Sequence, residues 1–437
     1  MSRVYIKTYG CQMNEYDSEV IAGLLQREGF TLTSEPGEAD FVVVNTCYVR
    51  EKVKNKVYSF LGELKKFKRK NPRLIIGVGG CLAQKEGGRI REKAPHVDIV
   101  WGAFNLHNLP EFLADFERKK IPLVKVEPDG QIPEGLPVVR KSKVSAYIPV
   151  MRGCNNFCSY CMVPYVRGRE RSRPVNSILQ EIKQAVEQGY KEVILLGQNV
   201  NSYGKDLPLS FDFADLLEKI NEIKEVKRIR FTTSHPKDLS EKLILAMSRL
   251  DKVCEHLHLP LQAGSNKVLE RMRRGYTREK YLELVSKVRE VVPEISLTTD
   301  IIVGFPGETE EDFEQTLKML ELVRFDGAFT FAFSPLPGTR AAKLDGQIPE
   351  VIKKKRLRRL IELQLKITEE RNLYWMGKEV EVLVEGPSEK NPDELQGRTR
   401  ENKIVVFPAE KNLIGEFVRV RIKKTGCWAL RGEIIKC

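Results

Sequence analysis

A chain of 437 residues is longer than one hydrophobic core usually organises, so two or three domains are expected. Its 41% hydrophobic and 30% charged residues exclude neither class of globular fold, but no apolar run spans a membrane and the start MSRVYIKTYGC lacks a signal-peptide core, so a cytoplasmic protein with no membrane partner is expected. Lys plus Arg number 73 against 60 Asp plus Glu, and the formal charge of +13 favours a polyanion such as nucleic acid, with the ion-rich surface of a heat-adapted protein as the alternative.

Residues 1–120 alternate short apolar runs with amphipathic stretches, the pattern of a parallel α/β sheet that forms a first domain. The spacing predicts a strand over Arg3–Thr8 and a helix over Ser18–Arg27. DFVVVN (Asp40–Asn45) reads as a buried strand, and a Lys-rich helix follows over Val49–Lys70. Leu74–Gly77 is a third strand, and the Gly79-Gly80 pair marks a tight turn. A Pro- and Gly-containing stretch, Glu127–Pro137, identifies a linker placed at 121–143.

Residues 144–373 contain six strand–helix units. Their strands are expected at Ala146–Val150, Glu192–Leu196, Arg228–Thr232, His256–Leu261, Ser296–Ile302 and Ala328–Phe333, with helices such as Ser177–Glu187 and Arg278–Val291. Consecutive βα units predict a full or partial β/α barrel with its chemistry at the C-terminal ends of the strands. The last segment, 374–437, changes character: Glu379–Val384, Lys403–Phe407, Glu416–Lys423 and Trp428–Ile434 are short and strand-like. They predict a small all-β module of the oligonucleotide-binding (OB-like) barrel kind.

Nine cysteines in a reducing compartment are free thiols, metal ligands or redox groups, and spacing decides between these. Cys154, Cys158 and Cys161 form a CxxxCxxC run in one loop after the first barrel strand. Three thiolates there can hold three irons of a [4Fe–4S] cube and leave the fourth open. Structural zinc is the alternative, but it needs a fourth ligand and no His or Cys lies near in sequence. Cys11, Cys47 and Cys81 are dispersed, yet each follows one of the three N-terminal strands. In a parallel sheet those strand ends share one edge, so the three thiols can converge as a second cluster. The alternative is three small buried hydrophobes. Cys254 is expected in the core, and Cys427 and Cys437 receive no role.

CxxxCxxC at the first strand of a β/α barrel resembles the radical S-adenosylmethionine (SAM) superfamily, in which the open iron chelates SAM. TYGCQMNEYDSE, VVNTCYVRE and GVGGCLAQ together resemble the N-terminal domain of the radical SAM methylthiotransferases, and the tail is similar to a TRAM domain, an RNA-binding module. LLGQNVNSYG, HLPLQAGSNKVLERMRRGYTRE, TTDIIVGFPGETEEDF and GRTRENKIVVFP resemble the branch acting on isopentenyl-adenosine in tRNA. SPLPGTRAAKL departs from it at Leu336 and Arg340, where Arg and Pro are commoner.

The resemblance implies two [4Fe–4S] clusters and two SAM molecules per turnover, one donating methyl and one yielding a 5′-deoxyadenosyl radical. It implies a monomer that modifies C2 of isopentenyladenosine in a tRNA anticodon stem–loop and takes electrons from a donor such as a flavodoxin or ferredoxin. It also implies that Tyr160 lies beside the adenine of SAM. Polar residues at strand ends, Gln198, Asn199, Ser234 and Asp300, are candidates to touch SAM or the base, with turn or cap chemistry as the alternative. No catalytic residue beyond the cluster ligands is assigned. Arg167, Arg169, Arg171, Arg173, Arg271, Arg273 and Arg274 are candidate phosphate contacts, with solvated or ion-paired arginines as the commoner alternative for each and the alternating set beside the cysteine loop as the stronger candidates. His256 and His258 share a strand face and are expected to be hydrogen-bonded.

Overall fold

A computed structural model describes residues 2–48, 51–130, 133–208 and 210–435. Val49 and Arg50, at the start of the predicted Lys-rich helix, and Cys437 lie outside the described residues. The first domain is a six-stranded sheet in the order β2-β1-β3-β4-β5-β6. Its strands are β1 (Arg3–Tyr9), β2 (Thr31–Leu32), β3 (Phe41–Thr46), β4 (Ile75–Gly80), β5 (Ile99–Trp101) and β6 (Leu123–Lys125), and every pair is parallel. β6 lies within the stretch read from sequence as linker.

Alternation along β3 and β4 explains why helices cover both faces. Phe41, Val43 and Ile75 pack with Val20, Leu24, Leu109 and Phe112 on one side. Val42, Val44, Ile76 and Val78 pack with Val57, Leu61, Leu64 and Leu82 on the other. The expected Gly79-Gly80 turn is instead the end of β4. Glycine is required there by packing: a Cβ on Gly79 would stand 2.2 Å from Cε2 of the fully buried Trp101. Gly79→Ala is therefore expected to lower stability by about 1–3 kcal/mol, read as a drop in the denaturant midpoint without a change in slope.

The central domain begins with β7 (Ser145–Pro149) and a short antiparallel ribbon of β8 (Met151–Arg152) and β9 (Arg171–Ser172). It continues through β10 (Glu192–Leu196), β11 (Arg228–Phe231), β12 (His256–His258), β13 (Ser296–Val303) and β14 (Gly327–Ala332). These form two parallel three-stranded sheets, β11-β10-β7 and β12-β13-β14, joined by a bridge between Ile229 and Val253. The result is a partial β/α barrel. Its outer face buries Ala146, Ile148, Val193, Leu195, Leu257, Leu297 and Ile301 under the helices. No helix among the described residues is long and apolar enough to cross a membrane.

The tail is a closed barrel, β15-β16-β17-β19-β18, of β15 (Glu379–Pro387), β16 (Glu394–Arg398), β17 (Ile404–Pro408), β18 (Phe417–Lys424) and β19 (Leu430–Ile434). It docks on the N-terminal ends of the central strands. Arg228 donates to the carbonyls of Arg398 and Glu381, and Arg230 donates to those of Thr399 and Arg400. Lys403 is buried against Asp326 at 2.8 Å.

Candidate active site

The cysteine loop is framed by the β8–β9 ribbon. Gly153, at φ 77°, turns the chain into it, and a Cβ there would meet the Arg169 carbonyl at 2.0 Å. Gln198 fixes the same turn by accepting from the Gly153 N–H at 2.6 Å. Within the loop each sulfur receives an N–H donor. Cys154 Sγ accepts from Asn156 N at 3.5 Å, Cys161 Sγ from Val163 N at 3.4 Å, and Cys158 Sγ from Arg274 Nη1 at 3.3 Å. Such donors stabilise sulfur-borne negative charge, which a thiolate-bound iron cube carries. Burial, with the charge of neighbouring cysteines adding to it, pushes the Cys154 thiol up to about 11 and the Cys161 thiol up to about 12, so ligation there must expel the proton.

At the sheet edge, β1, β3 and β4 are hydrogen-bonded neighbours whose ends are level: Tyr9 pairs with Thr46, and Thr46 with Gly80. Cys47 and Cys81 follow those ends directly, and Cys11 one residue later. β1 and β3 also flank the point where the strand order reverses, the usual ligand crevice of such sheets. Hydrogen bonding to Cys47 pulls the Cys11 thiol down to about 6, with Arg167 adding to the effect, whereas burial pushes the Cys81 thiol up. Among the described residues no three His, Cys, Asp or Glu side chains are grouped so as to hold a metal ion. A cube takes each thiolate on a separate iron, so a donor set of three spaced thiols with N–H partners fits it better than a single ion.

One side chain links the segment after the cysteine loop to the N-terminal edge. Arg167, in the cysteine loop's return to β9, is buried and donates from Nε to Cys81 Sγ at 3.1 Å and from Nη2 to Asp17 at 2.6 Å. The segment that returns from the cysteine loop is therefore tied to the N-terminal cysteine edge. Nothing in the sequence signals this contact, and Arg167 is not free for phosphate. The same holds for others of that arginine set. Arg171 pairs with Asp129, Arg173 with Glu134 and Glu181, Arg271 with the carbonyls of Pro306 and Asp345, and Arg274 is buried between Cys158, Tyr160 and Tyr276. Arg169 lies over the Phe157 ring.

The strand-end candidates fall in different places. Tyr160 packs against the Ala263, Phe305 and Phe333 cluster, with its hydroxyl 3.4 Å from Arg274. Asn199 donates to Glu170 and Asp238, and its Oδ1 is buried without a partner. Ser234 Oγ, His235 Nε2 and Gln262 Oε1 are likewise buried and unpaired, and Thr233 (φ 68°) and Gln262 (φ 70°) hold left-handed backbones. Unsatisfied polar atoms and backbone strain gathered at strand ends are features that accompany polar-ligand sites. His235 and Gln262 had no sequence signal beyond position. Asp300 lies within β13, facing His258 at 3.5 Å. His256 and His258 both reach Thr298 Oγ1, at 2.9 and 3.0 Å, as expected of satisfied histidines.

A parallel β/α barrel with CxxxCxxC after its first strand defines a radical SAM enzyme. Residues 148–320 match the radical SAM superfamily model, residues 3–102 the uncharacterised protein family UPF0004, and residues 376–435 the TRAM domain. The chain is 53% identical over 433 residues to a tRNA-2-methylthio-N(6)-dimethylallyladenosine synthase of Moorella thermoacetica, covering 98% of each. It is 50% identical over 434 residues to the enzyme of that name from Clostridium botulinum strain Langeland, covering 99% of this chain and 96% of the relative. It belongs to the tRNA-2-methylthio-N(6)-dimethylallyladenosine synthase family. Among solved structures, the radical SAM methyltransferase TsrM of Kitasatospora setae, with cobalamin and a [4Fe–4S] cluster bound, shares the fold at TM-score 0.55 and 16% identity, covering 78% of this chain and 77% of that one.

Proposed function

We propose that Cys154, Cys158 and Cys161 hold the cluster that binds SAM, that Cys11, Cys47 and Cys81 hold a second cluster, and that the chain inserts a methylthio group at C2 of N6-isopentenyladenosine beside the tRNA anticodon. The observation that supports this reading is the Arg167 contact, which ties the segment following the cysteine loop to Cys81 at the N-terminal sheet edge. When bound, the reduced cluster supplies the electron that splits SAM and hence the hydrogen-abstracting radical. That chemistry suits the target, because C2–H of adenine has no acidity to exploit at neutral pH.

The chain's own groups position the reactants. Arg274 holds Cys158 and the Tyr160 hydroxyl together, and Gln198 fixes the turn into the loop. The base must leave its stack to enter, which a single-stranded anticodon loop permits. Strand β18 of the tail barrel exposes Arg419 and Lys424, charges suited to a phosphate backbone, beside Arg421 and Lys423, which pair with Glu379 and Glu433. Electrons come from a small reductant of the flavodoxin or ferredoxin class, and the working unit is a cytoplasmic monomer.

Cys47→Ala is the discriminating variant. SAM cleavage to 5′-deoxyadenosine under reduction is expected to continue, while methylthio-isopentenyladenosine disappears from nucleoside digests of the tRNA product. Normal sulfur insertion by this variant would remove the second site from the reaction. Unmodified activity on tRNA in a strain lacking this chain would remove the tRNA substrate.

A further inference from the structure

Parallel sheets are ordinarily covered on both faces. In β12–β14 only one face is. Along β13, Leu297, Thr299, Ile301 and Val303 are buried, whereas Thr298, Asp300 and Ile302 between them are half-buried and look into the barrel lumen. His258 lies level with Thr298, and Asp300 with Phe329 of β14, so these side chains share that face. Phe329 is 62% exposed there, with the His258 ring 5.8 Å from its own in an edge-on arrangement. His258 is itself pinned: Nδ1 lies 3.0 Å from Thr298 Oγ1, and Nε2 lies 3.5 Å from an Asp300 carboxylate oxygen. An uncovered phenyl face beside a fixed carboxylate, on the concave side of a barrel, is a ligand platform rather than a core.

We propose that this lumen face, with Phe329 as its apolar platform and the His258–Asp300 pair beside it, receives the N6-prenyl side of the substrate base and determines which modified adenosine is accepted. The inference rests on the tRNA methylthiotransferase reading above and deepens it. A prenylated adenine offers an apolar five-carbon group and one N6–H donor. The phenyl ring of Phe329 meets the first by dispersion and burial. Asp300, held by His258, accepts the second, a charge-assisted hydrogen bond. With the N6 side in the lumen, the C2 side is left toward the strand ends and the cysteine loop. The same carboxylate opposes an N6 substituent that carries its own carboxylate, such as threonylcarbamoyl, by like-charge repulsion.

The test uses the reconstituted holoenzyme with SAM under anaerobic conditions and three anticodon stem–loops that differ only at N6: prenylated, unmodified and threonylcarbamoylated. Wild-type protein is expected to bind the prenylated RNA in preference to the other two. Phe329→Ala is expected to cut the prenylated-to-unmodified affinity ratio about tenfold, and Phe329→Leu to keep most of it. Asp300→Asn is expected to raise affinity for the threonylcarbamoylated RNA relative to the unmodified one. A structural role alone would shift all affinities together, so unchanged ratios in Phe329→Ala and Asp300→Asn overturn the pocket. A wild-type protein that inserts sulfur into the prenylated RNA while the variants keep its preference sinks only this inference. A wild-type protein that neither prefers nor modifies that RNA sinks the parent reading.

Discussion

Replacing Cys158 by Ala is expected to reduce reductive cleavage of SAM to background, whether or not RNA is present. Three thiolates are the minimum that seats a cube with one open iron, so removal of any one leaves two irons without protein ligands. Cys158 is the member with the fewest escapes. Its sulfur is buried, it sits between the other two in the run, and the buried guanidinium of Arg274 lies 3.3 Å from it. A lost thiolate leaves Arg274 with less compensation for its own burial. The check is anaerobic turnover with a chemical reductant, reading 5′-deoxyadenosine, together with iron and sulfide content. Wild-type protein should hold about eight irons per chain and the variant about four. Undiminished 5′-deoxyadenosine formation would contradict the assignment of this loop. Paired with Cys47→Ala, the two variants separate radical generation from sulfur delivery.

The cysteine loop was legible because its ligands are local: CxxxCxxC needs no knowledge of the fold. The second triplet was legible through pattern, since a thiol after each parallel strand lands on one edge whatever the details of packing. What stayed hidden was polar and long-range. The helix predicted from Ser18 begins at Gln12, because its first turns bury polar rather than apolar residues. Asn14 donates to the Thr46 carbonyl, Ser18 accepts from Asn45 Nδ2, and Glu19 accepts from the Lys141 N–H. A hydrophobic-periodicity argument sees only the apolar run that starts at Val20. β16 was missed for a related reason. ELQGR carries one large apolar residue, Leu395, and is a strand because β15 and β17 both pair with it. For the arginines the commoner of the two readings, intramolecular pairing, describes most of the set. Basic residues beside a cluster suggest phosphate binding, yet five of those named here have intramolecular partners, Arg171 with an exposed one.

Arg167 gives the sharpest stability expectation. Its guanidinium and the Asp17 carboxylate are both buried, with side-chain exposures of 7% and 11%. Arg167→Leu leaves that carboxylate buried and unpaired, a loss expected to reach about 3–5 kcal/mol. The affected contact joins the loop after the cluster cysteines to the first helix of the N-terminal domain, so the loss should appear as earlier thermal unfolding. Measured on protein without clusters, the shift reports the ion pair and not metal binding. Asp17→Leu should cost a similar amount. The double variant should cost less than the two singles combined, because it removes both charges and leaves neither stranded. Additive losses would show that the pair does not interact energetically. Function should not recover with stability. Arg167 also donates to Cys81, and no leucine can replace that N–H, so the restabilised double variant is expected to cleave SAM while inserting sulfur poorly. Arg167→Lys completes the argument: one ammonium keeps the charge but lacks the planar fork that reaches carboxylate and sulfur at once, so it should regain stability more fully than sulfur insertion.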